Sequence, residues 1–320
     1  MTAAWALAGH ELIKGHGTQN DFLVLLDPES EVEVSAVDVA AVCDRRAGIG
    51  ADGFVRVVRT ARLPGAEAFH EAVPEAEWFM DYYNADGSVA EMCGNASRLF
   101  AAVLDAEGLV ALSDGEAVTI GTRGGARTVT RSGDLWTVDM GRARLPRTEG
   151  AQADPHEEGW DTAVTVPGLA GPRAGLSLAM PNPHTVVALA DDEELVAADL
   201  TGLAGSGAPV LYDPEPPRGT NLELVVPLGE RVDPATGERV GLARLRVLER
   251  GVGETRSCGT GGCAAAVALH TWEGEGAPED YLIEMPGGQL GVHVGTDPLG
   301  SDETVLLTGP ATIVGRVTLV

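Results

Sequence analysis

The chain has 320 residues, with 22 Lys and Arg against 48 Asp and Glu, a formal net charge of −26. So acidic a chain offers no basic patch for a phosphate backbone and is disfavoured at anionic lipid, which excludes nucleic-acid and membrane-surface functions. No run approaches the ~18 apolar residues of a spanning helix, and the first ten residues carry no basic segment ahead of their short apolar stretch. The expectation is a cytoplasmic protein with a small-molecule partner, no nucleic acid and no membrane. Five Trp, four Tyr and five Phe leave the core to Ala, Val and Leu, and 42 glycines point to many turns and close backbone approaches.

In chain order, the first predicted strand runs from Asn20 to Asp27 (NDFLVLLD) and the second follows a turn at Gly50 and ends at Val58. Residues 61–77 read as an acidic loop. A strand over Trp78–Asn84 then leads through a Gly-containing turn to a helix opening at Cys93 and running to Leu104. Next come a strand, a turn at Gly124 and Gly125, and a hairpin closing on Gly141. Residues 142–173, rich in Pro, Gly and acid, read as a linker with a surface insertion. The same order then returns: a strand over Asn182–Leu189, an acidic loop over 191–217, a turn at Gly219 with a strand to Val226, and a strand over Ala243–Glu249. A helix opening at Cys258 and a strand, a Gly287 and Gly288 turn and a hairpin ending at Gly309 complete it. Four blocks in register about 165 residues apart argue for a duplicated mixed β domain with one central helix in each copy. The halves are expected to be 1–139 plus 310–320, carrying Cys93, and 140–309, carrying Cys258.

Each half thus places a cysteine where a helix begins. Helix N-termini carry unpaired N–H groups and the positive end of the macrodipole, which favour a thiolate. Were the halves to face each other, a substrate carboxylate could accept from the backbone amides of Gly94 and Asn95 on one side and Gly259 and Thr260 on the other. One thiolate could then take an α-proton while the opposite thiol returns a proton to the other face. Pyridoxal chemistry needs a Schiff-base lysine, and Lys14 is the only lysine. Gly259–Gly262 lacks the lysine and spacing of a phosphate loop, and no Cys-x-x-Cys pair marks a zinc site. The chemistry expected is therefore free of cofactor and metal.

His16–Phe22 (HGTQNDF), Gly48–Gly53 (GIGADG), Asn84–Ser88 (NADGS), Glu91–Asn95 (EMCGN), Asn182–His184 (NPH), Glu249–Thr255 (ERGVGET) and Ser257–Gly261 (SCGTG) together resemble the diaminopimelate epimerases. The resemblance implies an α+β fold of two pseudo-symmetric domains, each a mixed, mostly antiparallel sheet or barrel around a central helix, with the active site in the cleft between them. It implies interconversion of LL- and meso-diaminopimelate, toward lysine and peptidoglycan, without cofactor. Carried over by position, Cys93 and Cys258 are the acid and base. Gly94, Asn95, Gly259 and Thr260 hold the reacting carboxylate, and Asn20, Asn84, Asn182, Asn221, Glu249 and Arg250 hold the rest of the substrate. His184 and Glu249 stand where the family tunes the thiols. A homodimer is a further expectation. Ala96 and Gly53 depart from the family pattern, standing where a second glycine and, in some members, a glutamine are usual.

Plainer readings stand beside these. Cys43 and Cys263 read as small buried hydrophobes, His16 as a turn residue bonding local backbone, the asparagines taken singly as caps or turn formers, and Glu249 with Arg250 as a surface ion pair. A racemase of the same fold acting on proline, hydroxyproline or another amino acid, and an amino-acid-binding or partner-binding protein without turnover, are the rival functions.

Overall fold

The computed structural model describes residues 7–146, 154–201, 208–300 and 302–320. The chain divides into two compact units, Met1–Asp139 with Gly309–Val320, and Met140–Thr308.

The first unit opens with a hairpin of β1 (Glu11–Gly17) and β2 (Asn20–Leu26), followed by α1 (Ala36–Cys43) and β3 (Gly53–Arg59). After α2 (Glu67–Ala72) come β4 (Trp78–Asn84), α3 (Gly94–Ala106), β5 (Ala117–Gly121), β6 (Arg127–Ser132) and β7 (Leu135–Asp139). β2 pairs with β3 in parallel, β3 with β4 antiparallel, and β4 with β5 in parallel. The C-terminal strand, Thr312–Thr318, covers the other edge of β1. The pairing Phe22↔Gly53↔Asn84 brings the start of β2, the start of β3 and the end of β4 to one end of the sheet.

Small residues explain how α3 reaches the strands around it. A Cβ at Gly15 would lie 2.5 Å from Leu99 Cδ1, and one at Gly17 would lie 2.7 Å from the Asn95 carbonyl oxygen, so β1 can approach the helix only as glycine. Gly94–Ala101 is buried without interruption, and α3 packs against β1, β2, β3, β6, β7 and the C-terminal strand. A second cluster, Leu12, Leu23, Leu25, Val39, Val42 and Phe54, fills the space between the sheet and α1. Each such side chain contributes roughly 1.5–3 kcal/mol on burial. α1 itself is fixed by a capping box between Ser35 and Asp38.

The second unit contains α4 (Pro155–Glu158), β8 (Thr162–Thr165), β9 (Arg173–Met180), β10 (Asn182–Ala188), α5 (Asp192–Ala197), β11 (Leu211–Asp213) and β12 (Asn221–Val232). β13 (Arg239–Glu249), β14 (Gly253–Thr255), α6 (Gly259–Glu273), β15 (Asp280–Met285), β16 (Gly288–His293) and β17 (Leu306–Pro310) follow. The β9–β10 hairpin, the parallel β10–β12 pair, the antiparallel β12–β13 pair and the parallel β13–β15 pair repeat the pairing order of the first unit. α6 is buried from Cys263 to His270 and packs on β9, β10, β12, β13, β15 and β16.

Three stretches read from sequence as loops or linker hold regular structure. Residues 61–77 contain α2, 142–173 contain α4 and β8, and 191–217 contain α5 and β11. β8 pairs with β9 and β11 in a small antiparallel sheet. With α5, this sheet closes a core of Val164, Val166, Leu195 and Leu200 against Leu222, Leu224 and Val226 of β12. Most of the acids on these short elements are exposed, while Val164 of β8 and Leu195 of α5 are buried. The repeat also extends further than its four blocks, because β1 and β9 are equivalent first strands of the two units. Parts of the expected linker and loop, 147–153 and 202–207, lie outside the described residues.

Candidate active site

In the first unit, Cys93 caps α3 from extended backbone, and its carbonyl accepts from the Ser97 N–H at 2.9 Å and the Ser97 hydroxyl at 2.9 Å. The N–H groups of Gly94 and Asn95 are the first of the helix and have no intrahelical acceptor by geometry. Asn20, at the start of β2, places its Oδ1 at 3.7 Å from the Cys93 sulfur and 3.1 Å from Asn95 Nδ2. Its own Nδ2 donates to Asp52 at 2.9 Å. Arg98, fully buried, donates to Asn95 Oδ1 at 2.7 Å and to the Thr18 hydroxyl at 3.0 Å. A guanidinium only donates and a carboxylate only accepts. Arg98 at one end and Asp52 at the other therefore fix both amides, leaving an oxygen beside the Cys93 thiol. Thr18 and Gln19 turn the β1–β2 hairpin with φ of 53° and 60°. For a β-branched residue this is a strained conformation, and the bond from Arg98 holds it.

Asp52 also anchors a charged cluster behind Asn20. Arg45 pairs with Asp21 at 2.5 Å and with Asp52 at 2.6 Å, and Lys14 pairs with Asp21 at 2.5 Å. Burial pushes the Asp21 carboxyl up, but hydrogen bonds with Arg45, Lys14 and Asp52 outweigh it and hold the carboxyl at about 2. Asn84 ends β4 beside Gly53, and its Nδ2 reaches the Ser88 hydroxyl at 3.0 Å, the ordinary work of a turn asparagine. Gly53 has a physical reason of its own, since a Cβ there would lie 2.7 Å from the Tyr82 ring. His16 Nδ1 accepts from the Gln19 N–H at 3.3 Å, a local turn bond.

In the second unit, Cys258 caps α6, with its sulfur 3.4 Å from the Gly261 N–H and 3.4 Å from the Thr260 hydroxyl. The Gly259 and Thr260 amides occupy the places that Gly94 and Asn95 hold in α3. Burial pushes the Cys258 thiol well up, Glu249 and Glu223 add to that, and the Thr260 and Gly261 bonds only partly offset it. At Cys258 burial and two carboxylates thus work against what the helix N-terminus favours. His184 lies between Glu223, with Nδ1 at 2.7 Å from Oε1, and Asn182, with Nε2 at 2.9 Å from Oδ1. Asn221 Oδ1 accepts from the Arg250 N–H at 2.8 Å, and Glu249 Oε1 accepts from the Thr255 hydroxyl. The Arg250 side chain is exposed and donates to the Arg218 carbonyl at 2.5 Å. Cys43 and Cys263 are buried, and burial pushes the Cys43 thiol up to about 12.

The sequence profile of the diaminopimelate epimerases matches residues 12–146 and 176–314. The chain belongs to the diaminopimelate epimerase family. It is 42% identical over 311 residues to a diaminopimelate epimerase of Streptomyces coelicolor, covering 95% of this chain and 93% of that one. To the diaminopimelate epimerase of Thermobifida fusca it is 41% identical over 306 residues, covering 95% of each. Among solved structures, a phenazine biosynthesis protein of the PhzF family from Bacillus anthracis superposes with a TM-score of 0.66 at 12% identity, over 97% of this chain and 99% of that one. A hydroxyproline epimerase from Agrobacterium vitis superposes with a TM-score of 0.56 at 15% identity, over 96% and 90%. At such identity these two speak for the fold alone, which is the diaminopimelate epimerase fold of two domains of mixed sheet, each with a central helix.

Four residues around this epimerase's cysteines were not singled out from sequence: Asp52, Arg98, Thr18 and Glu223. Glu223 had a legible signal, a lone charge inside the apolar run Leu222–Val226, where every residue is buried. Arg98 had none, because an arginine two turns from a helix end is ordinarily a surface residue. No group of three His, Cys, Asp or Glu side chains arranged to hold a metal ion occurs among the described residues.

Proposed function

We propose that this protein interconverts LL- and meso-diaminopimelate by cofactor-independent proton transfer at one α-carbon, with Cys93 and Cys258 as the two acid/base groups. The observation that supports the reading most is that each unit carries one cysteine as the N-cap of its buried central helix, followed by a glycine whose amide opens the helix. Inversion by two bases requires one group to remove the proton from one face of the carbon and another to deliver a proton to the opposite face. A thiolate and a thiol meet that need and exchange roles with direction. Helix N-terminal amides stabilise the negative charge that develops on the substrate carboxylate as the proton leaves. The oxygen of Asn20 beside Cys93 and the Gly261 N–H beside Cys258 give the two sulfurs unlike surroundings, one facing an acceptor and the other a donor.

Asn20, Asn84, Asn182, Asn221, Glu249 and Arg250 hold the remainder of the substrate in this reading, with Arg250 as the group suited to a carboxylate. His184 and Glu249 tune the thiols. A cytoplasmic location fits four cysteines that form no disulfide, and a homodimer remains part of the proposal, read by light scattering of the purified protein. Proton NMR of the reduced protein with LL-diaminopimelate in D2O, run beside Cys93→Ser and Cys258→Ser, tests the function. The expected result is meso product with deuterium at the α-carbon, lost in both variants. Exchange of another amino acid with diaminopimelate inert would replace the substrate, and no exchange at all would favour a binding protein.

A further inference from the structure

The Glu223 side chain, on β12, is wholly buried against a histidine that is wholly buried too. One oxygen meets His184 Nδ1; the other, Oε2, is buried and makes no hydrogen bond among the described residues. A Cβ at Gly261 would lie 2.8 Å from Oε1, so the carboxylate sits directly under the first turn of α6, in space that any other residue at 261 would fill. Besides His184, the titratable groups that its charge reaches include Tyr212 on β11 and Cys258 at the start of α6.

We infer that Glu223 is a positioning residue of the reaction, acting through His184 to orient the Asn182 amide with its NH2 group turned outward as a donor. A carboxylate only accepts, so the His184 nitrogen facing it carries a hydrogen. The other ring nitrogen faces Asn182 Oδ1, which also accepts, so that nitrogen donates as well. The Asn182 carbonyl is thereby occupied, and its Nδ2 is the end left for a ligand. In the first unit the equivalent asparagine is held the other way round: Asp52 takes the Nδ2 of Asn20 directly, and Oδ1 is the end presented. One acid bonding directly and one acid bonding through a histidine thus give the two halves asparagines of opposite polarity at equivalent places.

This inference rests on the proposed epimerase reaction for its kinetic consequence but not for its structural one. The histidine side-chain 15N resonances of the labelled wild-type protein at pH 7.5, with His184 assigned through a His184→Gln variant, decide the structural part. Hydrogens on both ring nitrogens in the wild type, and a neutral ring in Glu223→Gln, support the assignment; a wild-type ring that lacks a hydrogen on either nitrogen overturns it. For turnover, Glu223→Gln is expected to raise KM for diaminopimelate about tenfold, in line with partners that orient a primary ligand, with a smaller change in kcat. Asn182→Asp keeps an acceptor toward His184 but removes the outward donor, and should raise KM similarly. The double variant should then be little worse than either single one; independent, multiplying effects overturn the chain of action. If the wild type leaves diaminopimelate unchanged, the substrate assignment fails while the 15N result still decides the role of Glu223.

Discussion

Gly261 and Gly262 are adjacent in the first turn of α6, and alanine at the two positions is expected to act with opposite sign. Neither glycine has positive φ, so alanine suits the backbone at both, and replacing a helical glycine ordinarily gains up to about 1 kcal/mol. At 262 the new Cβ meets Met285 Cε at 2.9 Å and nothing else closer than Leu290 at 3.8 Å. A methionine end can swing aside, so Gly262→Ala should be neutral or stabilising by roughly 0.5 kcal/mol. At 261 the Cβ meets Glu223 Oε1 at 2.8 Å, with Glu223 Cγ and Cys258 Cβ at 3.3 Å. Glu223 is held by His184 and has no exposed atoms, so it cannot retreat without breaking that bond. Overpacking at a rigid site costs about 1–3 kcal/mol, and the helix gain recovers part of it. Gly261→Ala should lose about 1 kcal/mol net, read as a lower urea midpoint in parallel unfolding curves of both variants and the wild type. A Gly261→Ala protein as stable as Gly262→Ala, with turnover intact, would refute the reasoning that places Glu223 under the helix. The equivalent position in α3 is already Ala96, and there the residue equivalent to Glu223 by strand register is Val55, an apolar side chain.

Three other outcomes follow from the cysteines and the buried charges. Iodoacetamide on the native protein at pH 8 should modify Cys93 first by mass spectrometry, because Cys43, Cys258 and Cys263 are buried and burial raises the thiols of Cys43 and Cys258; labelling of Cys43 ahead of Cys93 would contradict this. The Asp21 carboxyl is held near 2 against 3.8 when free, so its contribution to stability is complete above pH 4 and vanishes as pH falls toward 2. The lowering is equivalent to at most about 2.5 kcal/mol, reduced toward about 1 kcal/mol by solvent at Arg45. The stability gap between wild type and Asp21→Asn should accordingly close across that pH window, and a gap independent of pH would show the pairing to be inert. Asp81, fully buried, pairs with Arg56 at 2.9 Å and with Arg123. Asp81→Ala should cost about 3 kcal/mol in urea unfolding, the low end for breaking a buried pair because Arg56 keeps Asp27 at 3.2 Å.

The duplication, the two helices and the two cysteines that open them were all legible in the sequence, because each is a local pattern. An asparagine before an aliphatic run, a glycine turn, and a cysteine followed by small residues are read along the chain, and their recurrence in order needs no third dimension. The family motifs are local in the same way. What the sequence did not disclose are the partnerships across long separations. His184 and Glu223 are 39 residues apart and Asn20 and Asp52 are 32 apart. Each pair meets only because a parallel strand pairing sets the ends of two strands side by side. Tertiary structure also set the surroundings of Cys258. The helix N-terminus alone argues for a thiolate, but burial and two neighbouring carboxylates oppose it, and desolvation depends on everything packed around a group rather than on its place in the chain.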